Sequence, residues 1–244
     1  MTKKSLQRKV RRAQKLVQPF LRILRFFFTR KYLSWLTATI VGSGGVQSSC
    51  SSPVASEVLV EEGSWSYPKE LKVAVERVRT YYPELDTIKL SFYRTTDFQG
   101  SIMQAQPVKE SLWRRAARRE YKVEMQPLIK LQNDTVPITS MPEDIMVGWL
   151  GHELGHIVDY TRYSSLGLIG LGIGYSLSDR YLMKVEMRAD SIAAAHGLGP
   201  EIIAVKRFIL EEKPFPEWYK DQIRDLYPSS RSIEVLLPES DLPR

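Results

Sequence analysis

The sequence predicts an α+β fold on three observations. Residues 68–125 carry one helical period followed by short alternating stretches. From Ser140 onward the apolar spacing turns helical and stays so. The chain has 244 residues, 43% of them hydrophobic and 26% charged, which is the composition of a globular protein with a buried core. With a single Cys, neither a disulfide within the chain nor a multi-Cys zinc site is open to it. A mean hydropathy of −0.26 excludes a polytopic membrane protein.

Residues 1–56 form a segment apart from the domain expected over 57–244. They hold 11 of the 35 Lys and Arg and no acid, leaving 24 against all 28 Asp and Glu in the rest. The basic pI of 9.4 therefore belongs to this segment and not to the body. A basic tail on a mildly acidic body points to an anionic membrane or a targeting signal, and away from nucleic acid. Phe20–Phe28 is apolar on more than one face, with Arg22 and Arg25 able to snorkel, which suits a membrane surface. Leu33–Val46 is uncharged and Gly-rich, fitting the apolar region of a signal peptide better than a membrane-spanning helix. Cys50 follows within a Ser-rich linker and resembles the acylated Cys of bacterial lipoproteins, although Gln47 stands where those signals carry Leu. The Arg-rich, acid-free leader also resembles an organellar transit peptide. Membrane contact through residues 1–50 is thus expected. Export to the cell envelope is the leading location, with the cytoplasmic membrane face or an organelle as alternatives.

In the body, Leu71, Ala74, Val75, Val78 and Tyr82 recur at helical spacing between Pro68 and Pro83. Residues 87–94 alternate as a strand, 101–106 do so more weakly, and 121–125 form a third. Residues 109–119 read as a short helix with Arg114, Arg115, Arg118 and Arg119 on a solvated face. Ser140-Met-Pro-Glu143 is a capping-box signature, predicting a helix to about Tyr160. Residues 166–177 form one Gly-rich apolar stretch, too short to span a bilayer. Ser178 and Asp179 start another helix through Ala193. A last helical stretch covers 201–211. Phe215, Trp218 and Tyr219 are expected to pack on the body, and the residues from Pro228 to lack order.

The chemistry lies on two of these helices. Gly151–His156 reads G-H-E-L-G-H. Residues four apart share a helical face, so His152 and His156 can reach one ion at ~2.0–2.1 Å. Glu153, rotated ~100° around the helix, borders that ion and can take a proton from water whose pKa the ion has lowered. Glu186 is the candidate third ligand. Asp190, on the same face, can accept the second ring N–H of a ligand His. Tyr175, Tyr181 and His196 are candidate donors to a polarised carbonyl, and His196 can equally cap a helix end before Gly197.

G-H-E-L-G-H followed 30 residues on by E-M-R-A-D-S-I-A resembles the gluzincin zinc metallopeptidases. Glu186-x-x-Ala189-Asp190-x-x-Ala193 is most similar to the branch of the CAAX prenyl proteases and heat-shock membrane proteases. The resemblance covers about residues 140–197. It departs from that branch at Met183, often Arg there, and in having one apolar stretch between the motifs. It implies a zincin-like core: a small, antiparallel-containing sheet over an active-site helix, and a second helix carrying the third ligand. It implies one Zn2+ per chain on His152, His156 and Glu186, with Glu153 as the base and a peptide or protein as substrate. The competing expectations are a non-catalytic zinc-binding protein and a membrane-attached interaction protein with a degenerate motif.

Overall fold

The computed structural model describes residues 59–96, 101–227 and 229–235. Cys50, the segment 1–50 and the boundary at residue 56 lie outside these. Among the described residues the chain is a mixed α+β protein with seven strands and seven α-helices. It divides into two compact units. The larger runs to Leu166 and resumes at Met183; the smaller is Gly167–Leu182.

The larger unit opens with β1 (Leu59–Glu62) and β2 (Trp65–Pro68), an antiparallel pair turned at Gly63, whose φ of 62° favours glycine. Neither strand is foreshadowed by the sequence pattern. A 3-10 turn at Lys69–Leu71 leads into α1 (Lys72–Arg79). The expected helix is thus shorter at both ends, and Tyr82 lies beyond it, before a second 3-10 turn at Pro83–Leu85. Then come β3 (Leu90–Arg94), β4 (Met103–Pro107) and β5 (Tyr121–Met125), close to their expected places. The five strands form one sheet in the order β1-β2-β3-β5-β4. β2, β3 and β5 run parallel, while β1 and β4 run antiparallel at the two edges. The register stacks Phe92, Val123 and Ala105 in one row, all buried. Each large side chain of this face gains roughly 1.5–3 kcal/mol by leaving water. A small hairpin, β6 (Leu128–Lys130) with β7 (Thr135–Pro137), completes the strands.

Residues 109–119 do not form a helix. They make two separate 3-10 turns, and Arg119 is buried. Its guanidinium donates to the carbonyls of Leu112, Arg114 and Tyr163, which irregular backbone leaves in need of donors.

The helix expected from Ser140 is α2 (Glu143–Thr161), nearly all of it buried. Its start is not a capping box: Ser140 Oγ donates to Pro137 O at 2.7 Å, and Pro142 holds the cap position without a side-chain bond. Glu143 and Asp144 in the first turn instead take Arg77 of α1, at 3.1 and 2.6 Å. The same guanidinium reaches Glu201 at 2.7 Å, at the start of α5 (Gly199–Arg207). Three helices are therefore tied at one cation. α4 (Asp179–Ala193) enters this unit at Met183, and a wider helical turn at Phe208–Glu212 follows α5. After α6 (Glu217–Leu226), α7 (Ser230–Glu234) forms where no order was expected, and buries Ile233. Phe215 and Tyr219 are buried as expected, but Trp218 is exposed.

The smaller unit holds most of α3 (Ser165–Leu177), a 13-residue helix from the Gly-rich stretch, and the first turn of α4. Ser178 Oγ accepts the Tyr181 N–H at 3.2 Å and so caps α4. Tyr181 lies against Gly174, where a Cβ would fall 2.8 Å from its ring. No described helix is long and apolar enough to cross a membrane.

Candidate metal centre

Two contacts set the distance between α2 and α4. A Cβ at Gly155 would sit 2.5 Å from the Ala189 carbonyl oxygen, so the helices approach as closely as backbone allows. Beside it, Arg188 of α4 pairs with the buried Asp159 of α2 at 3.0 Å, which commits Asp159 away from any metal. α5 approaches the same helix on another side: a Cβ at Gly148 would meet the Glu201 carbonyl oxygen at 2.6 Å. The chain turns from α4 into α5 at Gly197, whose φ of 89° is left-handed.

This packing brings His152, His156 and Glu186 together. His152 Nε2 lies 3.1 Å from His156 Nε2 and 3.1 Å from Glu186 Oε2, and His156 Nε2 lies 3.6 Å from the same oxygen. Bonds of ~2.0–2.1 Å in tetrahedral directions would separate three donors by ~3.3 Å. The three side chains therefore hold a triangle of the size one ion requires, and they can hold a metal ion. His152 Nδ1 meets Asp190 Oδ1 at 2.7 Å, the bond that directs Nε2 toward the triangle. Asp190 Oδ2 accepts from Lys206 Nζ of α5 at 2.9 Å. Glu153 Oε2 accepts the Ala105 N–H of edge strand β4 at 2.6 Å, which fixes this carboxylate next to the triangle.

The electrostatics follow from burial and from these partners. Burial opposes the Glu186 carboxylate, but the facing imidazoles of His156 and His152 outweigh it and hold its pKa far below the carboxylate range. Asp190 is likewise opposed by burial, yet Lys206 and His152 bring it down. Burial raises Glu153, and the charge of Glu186 adds to the rise. For His152 burial favours the neutral ring, but Asp190 and Glu186 reverse that and push its pKa well above the imidazole range. With neutral rings, three carboxylates stand against the one ammonium of Lys206. The cluster's net charge of about −2 is one a divalent cation would neutralise.

The other candidates fare differently. Both nitrogens of His196 are engaged outside the triangle, with Ile192 O and Glu84 at 2.7 Å each, and its ring stacks on Tyr82 at 4.5 Å. It braces the end of α4 against the Pro83–Leu85 turn. Tyr175 and Tyr181 belong to the smaller unit and not to the unit that holds the triangle. The aromatic hydroxyls of the larger unit that feel the site are others. Tyr160 stacks on His156 at 5.9 Å, and Tyr160 and Tyr219 both have pKa values raised by burial and then by Glu153 and Glu186. Tyr160 was legible, four residues beyond His156 on the same face. Tyr219 and Lys206 carried no signal, because an aromatic or a lysine in an amphipathic helix reads as packing or as solvated charge. A small, largely apolar pocket adjoins His152 and Glu153, walled by Trp149, Ile202, Val205, Ile209, Tyr219 and Ile223.

No family model, no curated protein and no solved structure matches this chain.

Proposed function

We propose that this chain is a zinc-dependent metalloendopeptidase of the gluzincin type, with a zincin-like core. The observation that carries the reading is the triangle of two imidazole nitrogens and one carboxylate oxygen, at 3.1, 3.1 and 3.6 Å, with a buried carboxylate beside it. Two nitrogens and one oxygen suit zinc and leave a position for water or substrate. Zinc held there supplies a Lewis acid for a peptide carbonyl and lowers the pKa of water.

The chain's own residues do the rest. Glu153, buried and with its Oε2 fixed by Ala105 N–H, takes the proton from the attacking water and returns it to the leaving amine. Asp190 keeps the Nδ1 proton of His152 in place, so that Nε2 remains a donor to the ion. Tyr219, which lines the pocket with Glu153, Tyr160, stacked on His156, and Tyr227, whose ring lies 6.0 Å from that of His152, are the hydroxyl groups that suit a donor role to a developing oxyanion. The largely apolar pocket beside Glu153 suits a small apolar substrate side chain. The acid-free segment 1–56 supports membrane association, and its apolar stretch before Cys50 supports export.

The test is zinc content and hydrolysis of unfolded protein by the full chain and by Glu153→Gln. The variant should keep stoichiometric zinc and lose turnover by about 10²-fold or more. Equal turnover removes Glu153 as the base, and absence of zinc from both removes the reading.

A further inference from the structure

Lys206 is buried at 5% exposure, unusual for a lysine, and it sits next to a site that would take a cation. Coulomb's law makes this placement unfavourable for metal binding, since an ammonium repels a dication. Its contacts give a compensating reason. Among the described residues it donates to Asp190 Oδ2 at 2.9 Å and lies over the Tyr227 ring at 5.7 Å. The two oxygens of Asp190 are divided, Oδ1 to His152 Nδ1 at 2.7 Å and Oδ2 to Lys206. A carboxylate pinned at one oxygen only can swing about its χ2, where the torsional profile is broad. Pinned at both, it presents Oδ1 to His152 in one orientation.

We infer that Lys206 is a positioning residue of the metal centre: by holding Asp190 Oδ2 it fixes the ring orientation of His152 and hence the direction of the Nε2 ligand. The helix that supplies it is itself seated on α2 at Gly148, so the backbone contact of α5 and the side-chain contact of Lys206 locate the same imidazole. The inference rests on the metal-binding part of the proposed function. It predicts the opposite sign from electrostatics. A lysine that served only as a background charge or a core filler would, on removal, leave zinc affinity unchanged or tighter. A positioning lysine would leave it weaker.

The experiment is a double-mutant cycle on the full chain, reading the zinc dissociation constant by competition with a chromophoric chelator. K206M is expected to weaken zinc about 10-fold, D190N about 10–100-fold. K206M/D190N should be no weaker than D190N alone, because Lys206 acts through Asp190. K206R, which keeps donor and charge, should restore the affinity. The absorption bands of the cobalt-substituted protein should shift in K206M and return in K206R. Where K206M does not fold, K206Q stands in for it in the same cycle. Zinc binding as tight as wild type in K206M, or losses that multiply in the double variant, would overturn the inference. A wild-type chain that binds no zinc overturns the proposed function instead.

Discussion

Two buried carboxylates in this molecule invite comparison. On β5, Glu124 takes Tyr93 OH at 2.7 Å and Lys122 Nζ at 2.6 Å on one oxygen, and Gln104 and Gln106 amides at 2.7 and 3.1 Å on the other. Every one of those partners is a donor, and Lys122 balances the charge. Around Glu186 the arrangement is of another kind. One oxygen faces the Nε2 atoms of two imidazoles, and those atoms face each other at 3.1 Å. Two neutral rings cannot both donate into that space without repelling, and with both rings neutral, the state in which they can ligate, the surrounding charge sums to about −2. The first cluster is closed by its own hydrogen bonds, while the second converges acceptors on a point that a cation would satisfy. Buried acids alone do not mark a metal centre. Converging lone pairs and an unmatched negative charge do.

Removing a ligand should separate the two clusters most sharply. Glu186→Ala and His156→Ala are each expected to lose zinc by more than about 10²-fold, beyond the 10–100-fold seen for outer partners. Elemental analysis after dialysis against a weak chelator measures this. Zinc retained in Glu186→Ala would move the third ligand elsewhere.

The next largest effect should come from the seam that joins α2 and α4. Gly155→Ala would force its Cβ against the Ala189 carbonyl oxygen. It should cost about 1–3 kcal/mol of stability by overpacking. It should weaken zinc as well, because moving α4 moves Glu186. Denaturant unfolding and chelator competition read the two losses, and a stability loss with normal zinc affinity would uncouple the seam from the site.

A third effect concerns protons. In the metal-free protein the raised pKa of His152 means that its charged contacts with Asp190 and Glu186 stabilise the fold. That stabilisation is complete below the ordinary imidazole pKa of about 6.5 and is lost as pH rises through the raised value. Zinc must displace the same proton. Its affinity should therefore climb with pH, by up to about tenfold per unit while one proton is released per ion. A flat profile from pH 6 to 8 would mean that His152 enters the site already neutral. The smallest effect is the control: Glu124→Gln should cost about 1 kcal/mol in denaturant unfolding and leave zinc affinity unchanged.

How much of this the sequence disclosed depends on the range of the interaction. His152, His156, Glu186 and Asp190 were legible because four-residue spacing on a helix is a local rule. The strands at 90–94 and 121–125 were legible by alternation, as was the start of α4 at Ser178. β1 and β2 escaped because four-residue strands beside a Pro and a Gly offer too short a pattern. The Ser140 capping signature misled, since Ser140 Oγ donates to Pro137 O and the Glu143 carboxylate is drawn to Arg77 of another helix. Arg119 misled for the same reason: its burial is set by carbonyls at Leu112, Arg114 and Tyr163. Lys206 and the choice of Tyr219 over His196 at the site depend on how α4, α5 and α6 pack, which no window of sequence encodes.

The central claim is that His152, His156 and Glu186 together hold one zinc ion. X-ray absorption at the zinc edge on the full chain, with metal content measured on the same sample, tests it most directly. The account predicts one zinc per chain with nitrogen and oxygen neighbours at ~2.0–2.1 Å, the imidazole scattering of two histidines and no sulfur. A sulfur neighbour at ~2.3 Å would place Cys50 in the site, and fewer than two imidazoles or no bound zinc would contradict the account outright.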